Sequence, residues 1–161
     1  MYRLLAYLIA PLASCIFNNA RTIPVYHDVR VVSTFRETIK MLDAEKNVLI
    51  FPEKNEKCNN IIYKFQENFV DTARMYYRKT GRELSFVPMY IAPKLRRAYF
   101  GKPTVFDSKQ DIAEEKKRIV EYLSEEITKM GRELPRHTVV PYRNIGRRNY
   151  LTNKDVTEVP K

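Results

Sequence analysis

Short apolar runs alternate with segments of helical periodicity along this chain, and that alternation limits the folds available to it. The run at residues 47–51 is apolar, continuous and ended by Pro52, a pattern typical of a strand covered on both faces. Residues 22–26 and 85–92 are also rich in strand formers. Strands that alternate with helices favour an α/β domain with right-handed crossovers and a mostly parallel sheet flanked by helices.

Three helices are predicted between and after these strands. The first begins at a capping box formed by Thr34 and Glu37 and runs to about residue 45. The second spans residues 65–79 before a turn at Gly81, and the third begins at Asp111. Residues 98–100 and 104–106 are predicted to form a short hairpin or a sheet edge around residues 101–103.

Composition indicates one globular domain with an anionic partner. The 161 residues carry 29 Lys and Arg against 19 Asp and Glu, a net charge of +10, and 44% of the chain is hydrophobic. Residues 1–133 are assigned to the domain, and residues 134–161, which lack periodicity, to an extended basic arm. Two cysteines and two distant histidines predict neither a disulfide framework nor a metal site.

Binding sites in α/β sheets lie at the carboxyl ends of strands, which places the candidates in residues 26–30, 51–54 and 93–97. Glu53 follows a buried run and would reach the rim of the sheet, where a carboxylate can hydrogen-bond a hydroxylated ligand. The alternative is a solvated loop glutamate. A nucleic-acid partner is not expected, because the tyrosines do not interleave with the basic residues as a stacking platform would.

The segment Phe51-Pro52-Glu53-Lys54-Asn55 leads to Phe65 and a helical alanine, with Ile-Pro-Val at residues 23–25 and Val-Pro-Met at residues 87–89. In this order and spacing, the blocks resemble those of the phospholipid/glycerol acyltransferase family, which includes 1-acylglycerol-3-phosphate acyltransferases. The resemblance covers about residues 4–106. It implies transfer of a fatty acyl group from acyl-CoA or acyl carrier protein to the hydroxyl of a lysophosphatidate-like acceptor.

The resemblance also implies roles for the loop residues. Glu53 would orient the glycerol, and Lys54 and Arg30 would hold the phosphate; His27 competes with Arg30 by direct register. Phe51, Pro52 and Asn55 complete the predicted substrate-binding set. Three further cations are candidates for binding lipid headgroups, with a solvated loop as the alternative: Lys94, Arg96 and Arg97.

Two departures from the family qualify the resemblance. The Asn-His block with its Asp, which supplies the family's general base, has no counterpart, and Lys54-Asn55-Glu56 stands where the family has Gly-Thr-Arg. No catalytic residue is therefore assigned, and no cofactor is expected beyond the acyl donor. The chain is predicted to be the carboxyl-terminal portion of such a domain, inactive alone, with an open sheet edge through which it self-associates.

Residues 4–17 form an apolar segment that is interrupted by Pro11 and too short to span a bilayer. It is predicted to hold the domain at the inner face of the cytoplasmic membrane, against anionic phospholipids. Two alternative functions remain open. One is a non-catalytic module that binds anionic lipid or a partner, and the other is an exported lipoprotein lipidated at Cys15, for which the preceding Leu-Ala-Ser is the evidence.

Overall fold

The chain divides into two compact units, Met1–Val48 and Leu49–Lys161. The structure is a computed structural model that describes residues 9–11, 13–16, 19, 22–26, 30–56, 58–141 and 145–156. No helix in these ranges is long and apolar enough to cross a membrane. In the first unit, residues 9–11 and 13–16 are helical, and Cys15 is exposed.

The first unit contains helix α1, Val31–Asp43, which confirms the predicted helix but not its start. The predicted capping box is wrong, because the N-cap residue is Arg30 and Thr34 lies inside the first turn of the helix. The Thr34 hydroxyl instead donates to the Pro24 carbonyl at 2.7 Å and accepts from the Tyr26 N–H at 3.4 Å. Residues 22–26 are therefore an extended segment bonded to a helix side chain and not the strand that was predicted.

The described residues of the second unit include four short strands, β1 Ser85–Phe86, β2 Met89–Ala92, β3 Arg97–Phe100 and β4 Thr104–Val105. β1 pairs with β4 and β2 pairs with β3, both antiparallel. The prediction of a mostly parallel sheet flanked by helices is thus wrong for the described residues. The predicted hairpin between residues 98–100 and 104–106 is wrong as well, since β3 turns back onto β2.

The apolar run at residues 47–51 is not a strand, and this removes the centre of the predicted parallel sheet. Leu49 is 58% exposed and Phe51 is 57% exposed, so the run is not covered on both faces. Apolar composition predicts burial only when neighbouring strands supply backbone partners. Here the only ladder pairing close to the run is a single bridge between Glu53 and Phe65 among the described residues.

The two sheets are consecutive parts of one long hairpin, offset by one residue. Two residues, Val87 and Pro88, separate β1 from β2, whereas three residues at 101–103 separate β3 from β4. Pro88 has no N–H to donate, and its carbonyl accepts from the Gly101 N–H at 2.9 Å. The extra residue acts as a β-bulge, after which the inward-facing positions change from odd to even numbers.

Two helices pack beside this hairpin. A 3-10 turn, Glu67–Val70, leads into α2, Asp71–Thr80, which ends at Gly81 with φ of 69°. α3 spans Ile112–Glu133, and the Asp111 side chain caps it by accepting from the N–H groups of Ala113 and Glu114. The predicted Gly81 turn and Asp111 cap are both confirmed, because each depends on local backbone chemistry.

The second unit has two apolar clusters that share α3. The first contains Phe65, Val70, Ala73, Phe106, Ile119 and Leu123. The second contains Ile61, Tyr90, Ala92 and Val139. α3 has one apolar face, which contributes Ile119 and Leu123 to the first cluster and packs Met130 against the second.

The segment assigned from sequence to an extended arm contacts the second cluster. Val139 is 2% exposed, its N–H donates to the Leu151 carbonyl at 2.9 Å, and Thr138 forms an antiparallel bridge with Thr152. Asn153 is also buried. Residues 137–139 and 151–153 therefore form a small antiparallel pair that covers one side of the second unit's core.

Candidate functional site

The Phe-Pro-Glu segment opens the Glu53 loop, residues 52–66, whose two ends are joined by backbone hydrogen bonds. The Gln66 N–H donates to the Pro52 carbonyl at 2.8 Å, and the Lys54 N–H donates to the Lys64 carbonyl at 2.9 Å. Glu53 and Phe65 form the bridge between these bonds, and the Phe65 side chain is buried in the first cluster. Glu53 is thus anchored to the core through its direct neighbour across the bridge.

The Glu53 carboxylate is half-buried and held by the same loop. Its Oε2 accepts the Tyr63 N–H at 2.9 Å. Burial raises the pKa of Glu53 because it disfavours the charged form, and the Tyr63 N–H partly offsets this by stabilising the carboxylate. A carboxyl group with a raised pKa beside solvent can accept a hydrogen bond from a ligand hydroxyl or, when protonated, donate one.

Two further titratable groups lie in this loop. Burial raises the pKa of the Cys58 thiol, and the charge of Glu53 raises it further. The Tyr63 hydroxyl donates to Glu56 Oε2 at 2.6 Å, and that hydrogen bond is the main reason why the pKa of Tyr63 is raised. Both groups therefore stay protonated at neutral pH, which leaves Glu53 and Glu56 as the loop's acidic groups.

The remaining predicted substrate-binding residues of the loop lie on its exposed side. Lys54 and Asn55 are exposed, as is Phe51, while Pro52 is half-buried. The structure therefore brings together the predicted residues from Phe51 to Asn55. This follows directly from their adjacency in sequence.

Arg30 belongs to the first unit. It is exposed, and its guanidinium carbon lies 4.4 Å from the centre of the Tyr26 ring, a cation–π contact. His27, its competitor for the phosphate, lies outside the described residues.

The predicted headgroup cations sit at the turn of the β2–β3 hairpin. Lys94, Arg96 and Arg97 are all exposed, and Arg96 has a positive φ of 53° that closes the turn. Leu95, between them, packs against the second cluster, which also contains Ile61 from the Glu53 loop. The loop and the turn are thus joined through a common apolar cluster.

Sequence reasoning missed a buried polar network in the second unit. Tyr90 Oη lies 2.8 Å from His137 Nε2, and His137 Nδ1 lies 2.7 Å from the Pro135 carbonyl. Because a carbonyl only accepts, Nδ1 carries the proton and Nε2 accepts from the tyrosine. Asn153 Oδ1 accepts the His137 N–H at 3.0 Å, and its amide group donates to the carbonyls of Gly131 and Leu134.

The arrangement gives His137 a structural role. It is 5% exposed, and both of its ring nitrogens are bonded inside the protein. It is therefore not available to take a proton from a substrate hydroxyl. No spacing in the sequence indicates this network, since its members are up to 63 residues apart, from Tyr90 to Asn153.

A buried carboxylate, that of Glu115, and its partners join α3 to β4. Glu115 is 2% exposed and accepts from Arg118 Nε at 2.6 Å, from Arg118 Nη2 at 2.8 Å and from the Asp107 N–H at 2.9 Å. Arg118 also donates to Thr104 Oγ1 and to the Val105 carbonyl. The hydrogen bond from Arg118 is the main reason why the pKa of Glu115 is lowered.

The Glu115 cluster lines an open cleft with Gln110 and Glu114. Arg118 donates to Glu115, Thr104 and Val105, and it thereby fastens the hairpin to α3. Within the described residues, no three His, Cys, Asp or Glu side chains are grouped so that they could hold a metal ion.

Comparison with protein-family models, with curated proteins and with solved structures finds no match to this chain.

Proposed function

We propose that this chain binds a glycerol-phosphate lipid as the acceptor-binding part of a glycerophospholipid acyltransferase. The acceptor would be a lysophosphatidate-like molecule with one acyl chain, a free hydroxyl and a phosphate. The acyl donor would be acyl-CoA or acyl carrier protein, as the resemblance of residues 4–106 implies. The site of action would be the inner face of the cytoplasmic membrane.

The observation that carries the proposal is the setting of Glu53. Its carboxylate is held by the Tyr63 N–H, half-buried, and directly followed by the exposed cation Lys54. A hydroxyl-bonding carboxyl group beside a cation suits a ligand that has a hydroxyl close to a phosphate. The exposed Phe51 on the other side of Glu53 offers apolar surface for the start of an acyl chain.

The proposal assigns acceptor binding to this chain and leaves proton transfer unassigned. Acyl transfer to a hydroxyl needs a general base, and such a base contributes about 100-fold to 10,000-fold in rate. His137 cannot serve because its two nitrogens are bonded to Tyr90 and Pro135.

The test is calorimetric titration of the chain with a short-chain lysophosphatidate that stays monomeric in solution. Glu53→Gln keeps an oxygen for the Tyr63 N–H but loses the charge, so we expect about tenfold weaker binding. Lys54→Ala should weaken the binding of lysophosphatidate but not of a monoacylglycerol that lacks the phosphate. Glu67→Gln, an exposed glutamate beyond the loop, is the matched control and should bind as wild type.

Two results would contradict the proposal. The first is wild-type protein that does not bind lysophosphatidate at all. The second is binding by Glu53→Gln that equals wild type, because the ligand would then be held elsewhere.

A second candidate function is a lipid-surface or partner-binding module without turnover. The observation that favours it is the commitment of His137 to the fold, which removes that histidine from chemistry. Such a module would bind anionic vesicles, and Glu53→Gln would leave that binding unchanged. The titration with monomeric lysophosphatidate separates the two functions, since only the first predicts a Glu53-dependent affinity.

A further inference from the structure

The β2–β3 hairpin has an outer face that is apolar and unusually open. In its register Met89 lies opposite Phe100 and Ile91 opposite Ala98, and side chains of directly opposed residues share a face. The alternate pairs, Tyr90 with Tyr99 and Ala92 with Arg97, lie on the other face, where Tyr90, Tyr99 and Ala92 pack in the second cluster. The outer face therefore consists of Met89, Ile91, Ala98 and Phe100, with no charged or polar side chain among them.

The exposure of this face is large for apolar side chains. Phe100 is 67% exposed and Ile91 is 43% exposed. Val87, two residues before Met89 along the same edge, is 51% exposed. Contiguous exposed apolar surface of this kind is typical of a surface that another body covers.

Cations lie at both ends of the face. Lys94, Arg96 and Arg97 form the turn at one end, and Lys102 follows Phe100 and Gly101 at the other. Residues 85–106 contain these four cations and no acidic residue. One carboxylate from α3, that of Glu126, lies beside Gly101, at the end of the face that carries Lys102.

We infer that the outer face of the β2–β3 hairpin docks on an anionic lipid bilayer, with Phe100 and Ile91 entering the interface and the turn residues Lys94 and Arg96 contacting lipid phosphates. The basic ends decide the occupant, because an anionic bilayer offers negative charge around an apolar interior, which matches a basic rim around an apolar centre. The inference deepens the proposed function, since it names the surface by which the Glu53 loop would reach its lipid. The second cluster joins that loop to the hairpin turn.

The test is co-sedimentation with vesicles of phosphatidylglycerol and phosphatidylcholine that contain no lysophosphatidate. We expect binding that requires phosphatidylglycerol. Phe100→Ser and Ile91→Ser should each weaken it by about tenfold. Lys94→Glu combined with Arg96→Glu should weaken it by about fivefold or more for each cation, an effect that decreases as salt is raised.

Two matched controls separate the face from general properties of the chain. Arg147→Glu with Arg148→Glu makes the same change in net charge at another exposed site, and Val140→Ser removes an exposed apolar side chain that is 42% accessible. Both should bind vesicles as wild type does. The hairpin variants should unfold at the same urea concentration as wild type, because the altered side chains are exposed.

The inference is overturned if Phe100→Ser binds as wild type, or if the Arg147 and Arg148 reversal weakens binding as much as the hairpin reversal. It is also overturned if sedimentation velocity shows a dimer that Phe100→Ser dissociates, since a second copy would then cover the face. Failure of bilayer docking would leave the proposed lysophosphatidate binding untouched. The titration uses a monomeric lipid and variants of Glu53 and Lys54, whereas the vesicle assay uses variants of the hairpin.

Discussion

The Tyr90 hydroxyl donates to His137 Nε2 across 2.8 Å, and this bond joins strand β2 to the segment that follows α3. The two rings also meet edge to face, with their centres 5.7 Å apart. Both side chains are buried, so neither can exchange its partner for water. The pair therefore fastens residues 137–139 to the hairpin.

Replacing Tyr90 with Phe should destabilise the second unit by about 1–3 kcal/mol, because His137 Nε2 would lose its donor while it stays buried. Urea unfolding followed by circular dichroism measures this. Tyr77→Phe removes a hydroxyl from an exposed helix position and should change the free energy of unfolding by no more than about 0.5 kcal/mol. Equal stability of Tyr90→Phe and wild type would show that the bond is dispensable.

The burial of the Tyr90 hydroxyl predicts a loss of stability at high pH. Burial raises the pKa of Tyr90 from 10.0 to about 12, so between these values the folded state keeps a proton that the unfolded state has released. Stability contributed by this proton is present below pH 10 and is lost as the pH rises through about 12. Wild type should therefore lose about 2 kcal/mol more than Tyr90→Phe over this interval. The prediction is contradicted if urea unfolding shows that the two proteins lose the same free energy of unfolding between pH 9 and pH 12.

The Glu115 carboxylate predicts that the stability of the fold depends on pH in the acidic range. Its hydrogen bonds with Arg118 and with the Asp107 N–H keep the pKa below the ordinary value of 4.5. The contribution of the ionised Glu115 to the free energy of unfolding is therefore present above pH 4.5 and is lost as the pH falls through the lowered pKa. Glu115→Gln should cost about 3 kcal/mol at pH 7, since it leaves the Arg118 fork partly unpaired, and this cost should shrink on acidification.

Glu114→Gln is the matched control for this experiment. Glu114 is the exposed neighbour of Glu115 on the same helical turn, so its substitution should have little effect on urea midpoints at any pH. A Glu115→Gln protein with a midpoint like that of wild type at pH 7 would show that Arg118 finds other acceptors.

Gly131 marks a close contact between α3 and the Glu53 loop. A Cβ built at Gly131 would lie 2.7 Å from Ile61 Cγ2. Alanine favours helix by about 1 kcal/mol over glycine, yet we expect Gly131→Ala to destabilise by about 1–3 kcal/mol because Ile61 must move. Thermal unfolding measures the difference, and Gly146→Ala, where a Cβ meets nothing within 4 Å, should be near neutral.

A double-mutant cycle tests whether this clash is the cause. Ile61→Ala removes the atom that Gly131→Ala would meet, so the combined variant should lose less than the sum of the two single variants. Additive losses would place the effect of Gly131→Ala elsewhere in the helix.

The features that could be predicted from the sequence are those that depend on a few adjacent residues. Helix α3, its Asp111 cap and its apolar face follow from hydrogen bonding and periodicity within one segment, as does the turn at Gly81. The grouping of Phe51 to Asn55 on one loop was equally predictable. The capping box at Thr34 failed because the Thr34 hydroxyl bonds to Pro24.

Strand pairing and the burial of polar groups could not be predicted, because both depend on contacts between distant parts of the chain. An apolar run such as residues 47–51 indicates that burial is favourable but does not indicate which part of the chain buries it. Pro88 divides residues 85–92 between two antiparallel sheets. Tyr90, His137 and Asn153 meet only because α3 returns the chain beside β2. Pairing over such separations depends on the whole fold, and no local spacing encodes it.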